Sequence, residues 1–166
     1  MSYKLFKAEC MATLFPPHTN KFIQAITMAR AYNNLVLNHV ETVTGGGRFV
    51  AGGIKIPLLI AGMQLVYEAQ RRAGAYAPIN IFSLISPVIK LYWMGQVCIG
   101  PTGTVIVTNT GVFKGPRIPN NKSVDGFMKI FMGVIRTHIL TLSGTYTNFY
   151  TGLTTPWSGA VLQSLP

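Results

Sequence analysis

Four carboxylates, three histidines and two cysteines are all that this 166-residue chain offers for acid–base, nucleophilic or metal chemistry. The acids, Glu9, Glu41, Glu68 and Asp125, each stand alone in the sequence. A general acid–base pair needs two carboxyl groups brought together so that their pKa values are driven apart, and this spacing places no two on one turn. His18, His39 and His138 lack the H-E-x-x-H spacing that aims two imidazoles from one helix face at a metal, and Cys10 and Cys98 form no C-x-x-C pair. Ser143-Gly144 and Ser158-Gly159 lack the G-x-S-x-G elbow of a nucleophilic serine. A site such as Cys10 with His39 would have to be assembled by the fold from distant positions. The expectation is a protein that is not an enzyme, with no cofactor and no metal, in which His138 is a core residue.

One other segment invites a chemical reading. Residues 44–53, TGGGRFVAGG, hold five glycines, and a Gly-rich turn can aim backbone N–H groups at a phosphate. The Walker form needs Gly-Lys-Ser/Thr and the dinucleotide form needs G-x-G-x-x-G, and neither is present. The segment therefore reads as a flexible connector, since so much glycine opposes any regular element.

Charge points to contact with polyanions. Fourteen Lys and Arg against four acids give +10, a field that favours nucleic acid, an acidic protein surface or anionic lipid. The cations are scattered singly, apart from Arg71-Arg72, rather than gathered into a nucleic-acid-binding run. Only 11% of residues are charged, against about 25% in ordinary domains, and mean hydropathy is +0.36. Such a surface is suited to being covered by neighbours. Lys4 and Lys7 lead into Glu9 and Pro16-Pro17 instead of an apolar run, so no secretory signal is expected. Two cysteines make no disulfide framework, and buried thiols are the simpler expectation.

The elements that would position these residues are mostly helices. A short helix is expected over 2–14, ended by Pro16-Pro17. A second, capped at Thr19 or Asn20, carries Phe22, Ile26, Ala29, Asn33, Leu37 and Val40 near helical spacing. A third begins at Pro57, runs through Arg72 and presents Leu58, Leu59, Met63, Leu65, Val66 and Ala69. The apolar stretch 79–99 reads as a buried or interface helix, bent or restarted at Pro87. A membrane span there is the alternative, opposed by Lys90 well inside it. Thr104–Thr108 is β-branched throughout and reads as a strand, turning at Asn109–Gly111 into a second short strand at Val112-Phe113. The last helix starts at Ser123 with Phe127, Ile130, Phe131, Val134, Ile135, His138 and Leu142 in one stripe.

From these follows an α+β fold, mainly helical: four to five helices around one core with a small β hairpin near 102–114. Residues 1–145 form the globular domain and 146–166 a polar-aromatic tail that docks on neighbours. Tyr146, Phe149, Tyr150 and Trp157 are the expected interface anchors, and truncation after Ser143 is expected to weaken assembly while leaving the core folded. Lys114, Arg117 and Lys122 form the expected basic contact loop.

The second half resembles small virion proteins of tailed bacteriophages. The residues that carry the likeness are Ile89-Lys90-Leu91-Tyr92-Trp93-Met94-Gly95, the Pro-Gly-rich β loop, the helix leading into Arg136-Thr137-His138-Ile139-Leu140-Thr141-Leu142-Ser143-Gly144-Thr145-Tyr146, and Pro156-Trp157-Ser158-Gly159. The likeness lies in pattern and transfers no functional residue. It implies a structural role in a head, neck, tail or baseplate, assembled in the host cytoplasm, with copies of the chain and other structural proteins as partners. Contact with nucleic acid or an acidic protein surface would be non-specific.

Overall fold

The computed structural model describes residue 8 and residues 21–42, 47–50, 55–73, 81–117 and 124–162. Apart from Ala8, which is helical, the helix expected over 2–14 lies outside the described residues.

Four helices are described. α1 (Lys21–His39) buries Ala25, Met28, Ala29, Tyr32, Leu35 and Val36, a stripe at three- and four-residue intervals. Of the expected stripe, Ala29 and Asn33 are buried, Ile26 and Leu37 are half-buried and Phe22 is exposed, so the buried face is centred nearer Ala25, Met28 and Tyr32. α2 (Lys55–Ala73) buries Leu59, Met63 and Val66 and leaves Leu58 and Leu65 exposed. At Gly62 an added Cβ would stand 2.4 Å from Val88, so only glycine allows α2 to pass so close to the next helix. α3 (Ile81–Trp93) continues unbroken through Pro87 and buries Phe82, Ile85, Ile89, Tyr92 and Trp93. α4 (Val124–Leu140) begins with Asp125, which pairs with Lys129 at 3.1 Å, and buries Met128, Phe131, Met132, Ile135, His138 and Ile139.

The expectation of a single small hairpin is overturned. Among the described residues, seven strands form one antiparallel sheet: β1 (Val40–Thr42), β2 (Arg48–Val50), β3 (Val97–Ile99), β4 (Gly103–Asn109), β5 (Ser143–Asn148), β6 (Thr154–Ser158) and β7 (Ala160–Leu162), in the order β6-β5-β4-β3-β2-β1-β7. β4 pairs with β3 and β5, whereas Val112-Phe113 joins no strand. The glycine-rich segment contains β2, in the interior of the sheet, with Phe49 fully buried. The expected tail, up to Leu162, is β-structure, and a boundary at 145/146 would cut β5.

The strand order dictates the shape. β6 and β7 lie at opposite ends of the order, yet only Gly159 separates them. Six interstrand gaps of about 4.8 Å would put the edges of a flat sheet roughly 29 Å apart. Two residues of chain reach about 7 Å. The sheet must therefore curl until its edges meet at Gly159, making a barrel closed by one bent strand. Gly159 has φ 81°, a left-handed corner that L side chains rarely adopt, and its N–H donates to the Leu142 carbonyl at 2.8 Å. Rings from distant strands accordingly meet inside: Phe49 of β2 lies 6.3 Å from Trp157 of β6 and 5.0 Å from Trp93 of α3.

From residue 81 onward the 79–99 stretch is two elements, α3 and β3, joined by a turn. α3 has 13 residues, about 20 Å of helix, against a hydrocarbon core of about 30 Å. No helix among the described residues is long and apolar enough to cross a membrane.

Candidate functional site

Strand register determines which residues share a face, because directly opposed residues of antiparallel strands point the same way. On the inner face Phe49, Cys98, Val105 and Tyr146 stand opposite one another across β2–β5, and Val107, Gly144 and Trp157 form a second row. The outer face has two matching rows. Val50, Val97, Ile106, Thr145 and Pro156 make one, and Arg48, Ile99, Thr104, Thr147 and Thr154 the other. Val50, Ile99 and Ile106 are exposed. Across β1 the second row continues from Arg48 to Glu41, so the charged positions of these rows are one opposed pair of opposite sign. A β-branched, nearly uncharged sheet face open to solvent is the largest feature that the sequence left unread. Its alternation at 104–108 was visible, but which of the two faces met water was not.

The four expected aromatic anchors separate into two pairs. Trp157 is 4% exposed and belongs to the barrel interior, with its indole N–H buried and unpaired. Tyr146 is half-buried on the inner face, and its hydroxyl donates to Thr102 Oγ1 at 2.9 Å. Phe149 and Tyr150 sit at the tip of the β5–β6 hairpin, where Tyr150 is 80% exposed. The tip is held rather than loose: Asn148 Oδ1 accepts from the N–H groups of Tyr150 (2.8 Å) and Thr151 (3.1 Å), and Gly152 N–H donates to the Asn148 carbonyl at 2.9 Å. Leu153, next to it, is exposed as well.

Of the expected basic loop, Lys114 and Arg117 are exposed on an irregular strap, residues 110–117, and Lys122 lies outside the described residues. The structure adds Lys90, which sequence reading treated only as an obstacle to membrane insertion. Lys90 and Lys114 line one open groove of about 580 Å³ between α3 and the strap, with Ser83, Ser86, Val112 and Phe113. The signal was available: Ser83, Ser86 and Lys90 recur at helical intervals on the flank of α3, one residue on from Phe82, Ile85 and Ile89.

Several polar side chains are buried in the core. His138 is fully buried against Trp93 and Phe113, and its Nε2–H donates to the Thr110 carbonyl at 2.7 Å, which pins the strap. Its Nδ1 is buried without a partner. Burial lowers its pKa to about 4, with Lys90 adding to the fall and the Thr110 hydrogen bond opposing it. Trp93 Nε1–H donates to the Tyr32 hydroxyl at 2.8 Å, and the Tyr92 hydroxyl donates to Asn33 Oδ1 at 2.9 Å. Burial pushes both phenols above their ordinary range. Cys98 is buried on β3, and Cys10 lies outside the described residues. Among the described residues no three His, Cys, Asp or Glu side chains gather where they could hold a metal ion. Comparison with protein families, curated proteins and solved structures finds no match to this chain.

Proposed function

We propose that this chain is a non-enzymatic structural subunit of a macromolecular assembly, docking on copies of itself through the outer sheet face and the Phe149–Leu153 hairpin tip. The observation that carries the reading is the outer row Val50, Val97, Ile106, Thr145 and Pro156 beside Ile99, in which Val50, Ile106, Pro156 and Ile99 are exposed. Contiguous apolar surface of this kind marks protein contact. Two copies of a chain with net charge +10 repel one another over most of their surface. The charged positions of these rows, Arg48 and its register partner Glu41, are of opposite sign, so this face adds little to that repulsion when two copies meet. A tailed-phage particle is the setting suggested by the pattern of the second half, and other structural proteins of the particle would then be neighbours too.

Sedimentation velocity over a concentration series tests the reading. The wild-type chain is expected to self-associate, and Ile106→Lys to weaken that association at least tenfold. A surface change of this type alters stability by about 0.5 kcal/mol or less, so the melting temperature should hold. A wild type that stays monomeric at the highest concentration, or an Ile106→Lys chain that associates equally well, overturns it.

A further inference from the structure

We propose that the groove between α3 and the 110–117 strap is a docking site for an acidic segment of a different protein, carrying an aliphatic anchor between carboxylates. This inference names a partner class and rests on the assembly reading.

The groove is preformed. Its floor, Phe82 and Phe113, is buried, and the two rings lie 6.2 Å apart, with Phe82 a further 6.2 Å from Phe131. The strap wall is fixed by the His138–Thr110 bond and by Val112 N–H donating to Thr141 Oγ1 at 3.0 Å. A volume of about 580 Å³ falls within the range of ordinary ligand clefts, about 300–1,000 Å³, and admits one or two side chains. A site already shaped loses less entropy on binding than one that must be ordered.

Charge selects the occupant. No acid occurs between Glu68 and Asp125, so both walls come from a stretch of chain without a carboxylate, and Lys90, Lys114 and Arg117 are exposed on them. A second copy of this chain cannot supply the complement. Its four acids are isolated in sequence, and two of them pair along their own helices, Glu68 with Arg72 at 3.3 Å and Asp125 with Lys129 at 3.1 Å. A nucleic acid would bring the charge but not the fit. Bases are held on exposed aromatic faces, and both rings here are no more than 3% exposed. What the groove offers between its lysines is aliphatic: Val112 and Pro87, both exposed. An aliphatic side chain laid there, with carboxylates reaching Lys90 and Lys114, matches both properties.

The test uses the full chain and three probes: a fluorescent peptide Glu-Glu-Leu-Leu-Glu-Glu, the same peptide with glycines for leucines, and a single-stranded oligothymidylate. Amide chemical shifts and fluorescence anisotropy are the readouts. The leucine peptide is expected to move resonances at 86–90 and 112–115 and to bind at least tenfold more weakly to Lys90→Glu/Lys114→Glu. The glycine peptide is expected to bind at least fivefold more weakly than the leucine peptide. Absence of peptide binding, binding indifferent to the two lysines, equal binding of the glycine peptide, or a preference for oligothymidylate at matched ionic strength each overturns the proposal. Because the variant leaves the outer sheet face untouched and lowers the net charge, it should self-associate at least as strongly as the wild type. A chain that binds the peptide yet never self-associates refutes the proposed function while the groove assignment stands, and the reverse outcome refutes the groove alone.

Discussion

Replacing the Tyr32 hydroxyl with hydrogen strips the acceptor from a buried indole N–H. Trp93 is fully buried, so the orphaned donor regains no water, and Tyr32→Phe should cost about 1–3 kcal/mol in a urea titration. A loss too small to measure would mean that another acceptor reaches Trp93. This pair was illegible in the sequence, where 61 positions separate its members. His138 was more legible: its place in an apolar stripe indicated the core. What the stripe did not reveal is the pH dependence built into it. The unfolded imidazole takes its proton near pH 6.5, the folded one near 4. Between these values the unfolded chain binds more protons, so stability is full above pH 6.5 and falls as pH drops toward 4. At 1.36 kcal/mol per pH unit the loss is roughly 3 kcal/mol. With only four carboxylates to titrate, histidine should dominate this limb. His138→Gln can still donate to Thr110 through its Nε2. Urea midpoints at pH 7 and pH 4.5 should differ much less for it than for the wild type, and an unchanged difference would assign the limb to other groups.

Elements were readable where their evidence is local. α2 and α4 announce themselves through repeats at three and four residues and through Pro57 and Asp125 near their starts. Strands of three residues have no period to read. β2 is flanked by glycines and completes its ladder with Val97–Ile99, and β1 pairs with β7 from the far end of the described chain. The stretch 146–166 reads as a polar-aromatic tail because nothing local shows that Thr147 and Thr154 pair across a hairpin and share the outer face of the sheet. Two predictions follow from closure. Gly159→Ala forces a side chain into the left-handed corner and should cost about 1–2 kcal/mol. An alanine chain as stable as wild type would show that the corner relaxes without loss. Truncation after Ser143 removes almost all of β5 and the whole of β6 and β7, including Trp157. The shortened chain should lack a cooperative thermal transition, and a cooperative melt with dispersed amide resonances would contradict the closed barrel.

At the scale of the whole molecule, the net charge of +10 is spread over one small barrel and its helices, and it works against compaction. Like charges held within a protein's diameter repel, and unfolding relieves that repulsion. Salt screens it over a length of about 10 Å at 0.1 M. The described ion pairs that salt would weaken, Glu68–Arg72 and Asp125–Lys129, are helix-surface pairs, each worth about 0.3–0.5 kcal/mol. Repulsion among so many cations outweighs them. The melting temperature should therefore rise when sodium chloride is increased from low to near-physiological strength, by about 2–4 °C for each 1 kcal/mol relieved in a chain of this size. Melting followed by circular dichroism in dilute, monomeric solution measures it, and Ile106→Lys keeps self-association out of the comparison. Lys90→Glu/Lys114→Glu lowers the net charge by four and should flatten the response. A melting temperature that falls with salt in the wild type would mean that attractive pairs dominate, and that the cations are already compensated within the chain rather than held ready for an acidic neighbour.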